Sequence, residues 1–289
     1  ERRARAGVRW LRKRRRSGGG HGVRRWCGRA LDADNLLQAE IPGRPASVAF
    51  VADGQGARVL AVSEQLIGRR RLGARGFTWC GNLVPFTTAP AEADALLPQA
   101  RRAATVLTRY YGLRGLNGLD CVVARDADGA PQLWLIEVNP RFTASMELAE
   151  AAVGRSLFAL HVAACEGRLP ADLLETAPQG HAAKGVVYAR RMCTMPATTD
   201  WRLRGRSDVP WPGQRIEKGH PVCSVRSAGA SRAACLTGLR RAAAAVYEEI
   251  EAPVAGVQPG PAPETGARVL ARTETPAQGP PGPYVEEVL

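Results

Sequence analysis

The sequence predicts an α+β fold, with antiparallel strands and helices in separate stretches of one chain. Three observations carry that expectation. Short apolar runs with β-branched and aromatic residues recur at 47–52, 58–65, 119–124 and 133–138, as buried strands require. Tight turns join them in pairs: Asp53-Gly54, with Gly56 close behind, and the turn at 126–129. Two stretches, 92–111 and 232–251, carry apolar residues at helical spacing instead.

The elements follow in order. A short strand is expected at 8–11, and another at 36–41, ended by Pro42-Gly43. The pair 47–52 and 58–65 forms a hairpin. Residues 68–85 read as a loop containing Phe77, Trp79 and a Cys80-Gly81-Asn82 turn. The 92–111 helix places Ala95, Leu96, Ala103, Val106, Leu107 and Tyr110 on one face, and Gly112 ends it. Strands 119–124 and 133–138 form a second hairpin, which Pro140 stops. Helices are expected at 143–153 and 157–166, and strands at 184–189 and 221–227, separated by a loop with Pro210, Pro212 and Gly213. Residues 232–251 form an Ala-rich amphipathic helix. Beyond Pro253 the chain is rich in Pro, Gly, Ala, Glu and Thr and is expected to be disordered. The expected divisions are 1–180, a small α+β lobe at 181–251, and the tail at 252–289. No internal repeat is visible.

Composition narrows the function classes. The chain has 289 residues and a formal net charge of +13. Such a balance suits a polyanion partner. Yet only Lys13, Lys184 and Lys218 are lysines, so arginine bias accounts for much of the charge. No apolar run reaches the ~18 residues of a membrane helix, and the basic N-terminal block has no apolar region after it. The seven cysteines are scattered without a C-x-x-C pair, so reduced thiols and a cytoplasmic setting are expected.

The chemistry concentrates at 133–148. Glu137 interrupts a buried run, where an ionised carboxylate is costly unless a cation or donor meets it. Asn139, two residues on, shares its face, and Arg141 follows the stop at Pro140. Asp120 lies on the preceding strand, so it and Glu137 converge on one cation if the hairpin forms. Upstream, Lys13 precedes Ser17, Gly18, Gly19, Gly20, His21 and Gly22. Exposed N–H groups in such a loop cradle phosphate, with a lysine adding a point charge. No Gly-Lys-Ser/Thr closes the loop, so this is not the Walker pattern. The bland alternatives are a solvated Glu with an Arg partner, and a flexible basic arm.

The Lys13 glycine loop, the 38–43 strand end and Asp120 with Glu137-Val138-Asn139-Pro140-Arg141 occur in the order of the ATP-grasp superfamily. The chain resembles its carbamoyl-phosphate-synthase-like carboxylate–amine ligases over roughly 8–165. The resemblance implies two α+β subdomains gripping nucleotide, with 181–251 as a small C-terminal lobe. It implies ATP and Mg²⁺, with Mn²⁺ as a substitute, and an acyl phosphate that an amine attacks. Lys13 would contact phosphate, with Ser17, Gly18, Gly19, Gly20 and Gly22 closing over it. Gln38, Ala39, Glu40 and Ile41 would meet adenine through backbone groups. Asp120, Glu137 and Asn139 would hold Mg²⁺, and Arg141 the transferred phosphoryl group or the acyl phosphate.

The chain also departs from that pattern. Arg14 stands where Pro usually follows the lysine, and Pro45 where an acidic ribose ligand is frequent. A second phosphate-binding lysine and an N-terminal α/β domain would lie upstream, so the resemblance implies a truncated form. Gln65, Trp79 and Asn82 are candidates for shaping the acceptor site, with structural roles equally open. His21 and Glu147 are expected to be solvent-facing, with phosphate contact for His21 and a place in the substrate pocket for Glu147 as the alternatives. The expected substrates are a small-molecule carboxylate and an amine, without membrane or nucleic acid, and a homodimer is compatible. Two rival readings are a degenerate ATP-binding fragment without turnover and a basic nucleic-acid-binding protein.

Overall fold

A computed structural model describes residues 8–169 and 180–252. The expected disordered tail therefore lies almost wholly outside the described residues. Near the N-terminus, β1 (Trp10–Arg14), β2 (Arg24–Arg25) and β3 (Asn35–Ala39) form a small antiparallel sheet in the order β2-β1-β3. The chain then builds β4 (Arg44–Asp53), β5 (Ala57–Ile67), β6 (Trp79–Val84), α1 (Pro90–Tyr111), β7 (Arg114–Arg125) and β8 (Pro131–Asn139). Two short helices follow, α2 (Met146–Val153) and α3 (Leu157–Cys165). The last part contributes β9 (His181–Tyr188), the two-residue strands β10 (Cys193–Thr194) and β11 (Arg215–Ile216), β12 (Pro221–Gly229) and α4 (Arg232–Glu251).

Seven strands form one antiparallel sheet in the order β12-β9-β6-β5-β4-β7-β8. Central β4 is buried on both faces, which explains its unbroken apolar run. Ala46, Val48, Phe50 and Ala52 pack with α1, whereas Ala49 and Val51 pack with α2 and α3 on the other face. Strands β9 and β12 carry the sheet onward under α4, where Val187, Val225, Leu239, Ala243 and Val246 form a further core.

Residues 68–85 correct the sequence reading. They contain β6, which lies between β5 and β9 and is buried from Cys80 to Val84. Gly81-Asn82 imitates a turn, but each residue serves the strand. Gly81, at φ 137°, brings β9 so close that a Cβ would lie 2.0 Å from the Lys184 carbonyl oxygen. Asn82 is buried and hydrogen-bonded on two sides. The α1 face is also corrected. Its buried stripe is Leu96, Ala100, Ala104 and Thr108, four residues apart, while Val106 and Tyr110 point outward.

Candidate functional site

Asp120 and Glu137 are direct cross-strand partners on β7 and β8. Strand alternation therefore puts both carboxylates on one face, and Asn139 joins them. Asp120 pairs on its other side with Ser47 of β4, so it faces away from the Phe50–α1 core. Like charges directly opposite each other weaken a sheet. Two amides soften the arrangement: Gln65 Nε2 donates to Asp120 Oδ1 at 2.8 Å and Asn139 Nδ2 to Oδ2 at 3.2 Å. Arg141 Nη2 donates to Asn139 Oδ1 at 3.1 Å.

These groups line a cleft of about 860 Å³ between the two sheets. The small sheet contributes Lys13, from β1, and Gln38, Ala39, Glu40 and Ile41, from β3 and its end. The large sheet contributes Ser47, Gln65, Trp79, Asn82, Asp120, Glu137 and Asn139. Arg141 and Ser145 line the same cleft. Burial pushes the Lys13 ammonium below its ordinary value, and the charges of Glu137 and Asp120 oppose that drop. The lysine thus shares the electric field of both carboxylates, across the cleft from their strands. Burial also raises the Asp120 carboxyl, and Glu137 raises it further, against the amide bonds and Arg141.

A sign follows for stability. A carboxyl raised on folding binds its proton more tightly in the native state, so its contribution falls as pH climbs from 3.8 through the native value. In chelator, the melting temperature of the chain should decline over that window more than that of Asp120→Asn. Saturating Mg²⁺ and nucleotide should reverse the trend in the unsubstituted chain, because a metal-bound carboxylate gives up its proton more readily in the native state. Equal slopes in chelator would contradict the coupling.

The glycine loop closes one side of the cleft. Gly19 and Gly20 line it, while Ser17, Gly18 and Gly22 do not, and the Ser17 hydroxyl bonds the Arg14 carbonyl instead. The Gly19 carbonyl accepts from the Trp79 N–H at 2.9 Å. Gly20, at φ 75°, would place a Cβ 1.9 Å from the Phe77 carbonyl oxygen, so only glycine docks there. Gly20→Ala should undock the loop at a cost of about 1–3 kcal/mol. ATP affinity should fall roughly tenfold, read by calorimetry, with a melting midpoint lowered by a few degrees. Unaltered affinity would show that the docked loop adds nothing to nucleotide binding.

Sequence reasoning left Gln65, Trp79 and Asn82 undecided, and the structure gives each a place. Gln65 orients Asp120. Trp79 Nε1 donates to Asn82 Oδ1 at 2.9 Å, and Asn82 Nδ2 donates to Ser63 Oγ at 2.8 Å, a polar floor under the cleft. Glu147, expected on a solvent face, instead accepts from buried Lys184 at 2.6 Å and pairs with Arg226. The Glu40 carboxylate is held by Arg25 and Arg9 at 3.0 and 3.3 Å. The residues suit a hard divalent cation, because two carboxylates and one amide oxygen leave positions for water and phosphate. Among the described residues, no group of three or more His, Cys, Asp or Glu side chains gathers as a metal site.

An ATP-grasp domain family matches residues 1–145, half of the sequence. The chain belongs to the ATP-grasp family. Solved structures carry the same fold. One is N5-carboxyaminoimidazole ribonucleotide synthetase from Thermus thermophilus, at 22% identity and TM-score 0.54, covering 88% of this chain and 64% of that one. Another is the pyruvate carboxylase of Rhizobium etli, at 15% and 0.57, covering 82% and 23%. A third is biotin carboxylase from Campylobacter jejuni, at 12% and 0.53, covering 82% and 57%. At these identities the likeness is one of fold. This ATP-grasp chain spans less than two thirds of each of these structures. No curated protein sequence matches it. No described helix is long and apolar enough to cross a membrane.

Proposed function

We propose that this ATP-grasp chain performs the nucleotide-dependent step of a ligase that joins a carboxylate to an amine through an acyl phosphate. The supporting observation is the cross-strand Asp120–Glu137 pair, set opposite Lys13 in a cleft between two sheets. A carboxylate oxygen attacks the γ-phosphorus of ATP and ADP departs. The amine nitrogen then attacks the acyl carbon, phosphate leaves, and the amine loses a proton. Such transfers are catalysed chiefly by positioning and by offsetting charge.

Each residue has a stated part. Asp120, Glu137 and Asn139 would hold Mg²⁺, whose chemistry is to bridge phosphate oxygens and neutralise their charge. Gln65 fixes the Asp120 carboxylate. Lys13 contacts phosphate from the small sheet. Arg141 presents a guanidinium fork to the transferred phosphoryl group. The 38–41 backbone edge meets adenine, and Gly19 and Gly20 exclude water from a hydrolysable intermediate. The substrates are small molecules, the compartment is the cytoplasm, and Mn²⁺ substitutes for Mg²⁺.

A screen of carboxylate–amine pairs for Mg²⁺-dependent ADP release tests this reading. One pair that releases ADP and forms the amide supports it. ATP binding without release under any pair would favour a nucleotide-binding chain without turnover, and absence of ATP binding would sink both.

A further inference from the structure

A second concavity lies behind the glycine loop. It encloses about 490 Å³ and is lined by Arg70, Arg75, Arg190, Lys218 and His21, around Tyr188. Among the described residues only Gly76 lines both this cavity and the nucleotide cleft. The loop is thus the partition: Gly19 and Gly20 face the cleft, while His21 faces the cavity and meets the Tyr188 ring edge-on at 6.2 Å.

Among the described residues, no carboxylate lines the cavity. Several arginines elsewhere in the chain are given to acids. Arg69, Arg44 and Arg232 share Glu64, Arg204 and Arg206 share Glu249, and Arg226 takes Glu147. Among the described residues, Arg70, Arg75 and Lys218 meet no such partner. Arg190 is positioned without being neutralised, because its guanidinium stacks over the Tyr247 ring at 3.5 Å. The backbone beneath is tightly folded. A Cβ on Gly73 would lie 2.3 Å from the Tyr188 carbonyl oxygen and one on Gly68 2.4 Å from that of Gly76. Lys218 is drawn in by the Gly219 N–H, which donates to the Ala189 carbonyl at 2.8 Å. Four like charges on a firm concave frame repel one another unless an anion intervenes.

We propose that this cavity is a second anion site, separate from the nucleotide cleft, for a small metabolite bearing two or more phosphate or carboxylate groups. Guanidinium forks suit those groups, and the volume falls within the range of about 300–1,000 Å³ typical of small-molecule sites.

The test is calorimetric titration of the full chain with inorganic pyrophosphate in chelator, with citrate in parallel to separate phosphate from carboxylate preference. Saturable binding is expected. The double variant Arg70→Glu, Lys218→Glu should weaken it at least about tenfold, and Lys13→Ala should leave it unchanged. Both replaced side chains are exposed and partnerless among the described residues, and the milder Arg70→Ala, Lys218→Ala pair guards against misfolding. Unchanged affinity in both double variants overturns the proposal, as does loss of binding in Lys13→Ala. Capture of a short single-stranded oligonucleotide by a chain that ignores both small anions also overturns it.

Discussion

Glu137→Ala is expected to abolish Mg²⁺-dependent ATP binding while leaving the fold intact. Losing a residue that only orients a metal ligand already costs affinity about 10–100-fold, so losing a ligand itself should cost more. The fold should tolerate the change because Glu137 is exposed and its nearest carboxylate is the like-charged Asp120. Removing that opposition relieves up to about 1 kcal/mol in the empty protein. Calorimetry with Mg²⁺-ATP should therefore show a flat titration from a chain whose melting midpoint is unchanged or higher. Undiminished nucleotide affinity would remove Glu137 from the site.

Arg141→Ala should separate turnover from binding. Arg141 is exposed at the end of β8, and its fork rests on Asn139 Oδ1 and the Phe142 carbonyl, at 3.1 and 3.2 Å. Neither bond maintains the sheet. If the guanidinium meets charge that develops only during phosphoryl transfer, its loss should lower kcat by about 10²–10³ with ATP affinity little altered. Arg141→Lys should recover part of the rate, since it restores charge without the planar fork. A variant that loses ATP binding as fully as Glu137→Ala would show that Arg141 holds ground-state nucleotide instead.

The convergence of Asp120, Glu137 and Asn139 was legible because it depends on local rules. Two short runs around a turn make a hairpin, and the period of two decides the faces. The 232–251 helix was legible for the same reason, since its apolar spacing is local; the structure adds its cap, where the Ser231 side chain accepts from the Ala234 N–H. Strand β6 was not legible, because partners far away in sequence make it a strand. Gly81-Asn82 has turn chemistry until β9 arrives against it. The outward turn of Val106 and Tyr110 on α1 escaped because an Ala-rich helix offers several plausible faces, and contact with β4, β5 and β8 selects one. The polar chain Trp79–Asn82–Ser63 and the bond from Gln65 to Asp120 join residues 19 and 55 positions apart. The basic cavity gathers Arg70, Arg75, Arg190 and Lys218 from distant segments, and no short pattern announces it.

The most direct measurement is anomalous scattering from Mn²⁺ in crystals grown with Mn²⁺ and a non-hydrolysable ATP analogue. A manganese peak is expected within about 2.2 Å of oxygens from both Asp120 and Glu137, with the analogue's phosphates between it and Lys13. Bound nucleotide with manganese elsewhere, or with those two carboxylates turned away from it, would contradict the account.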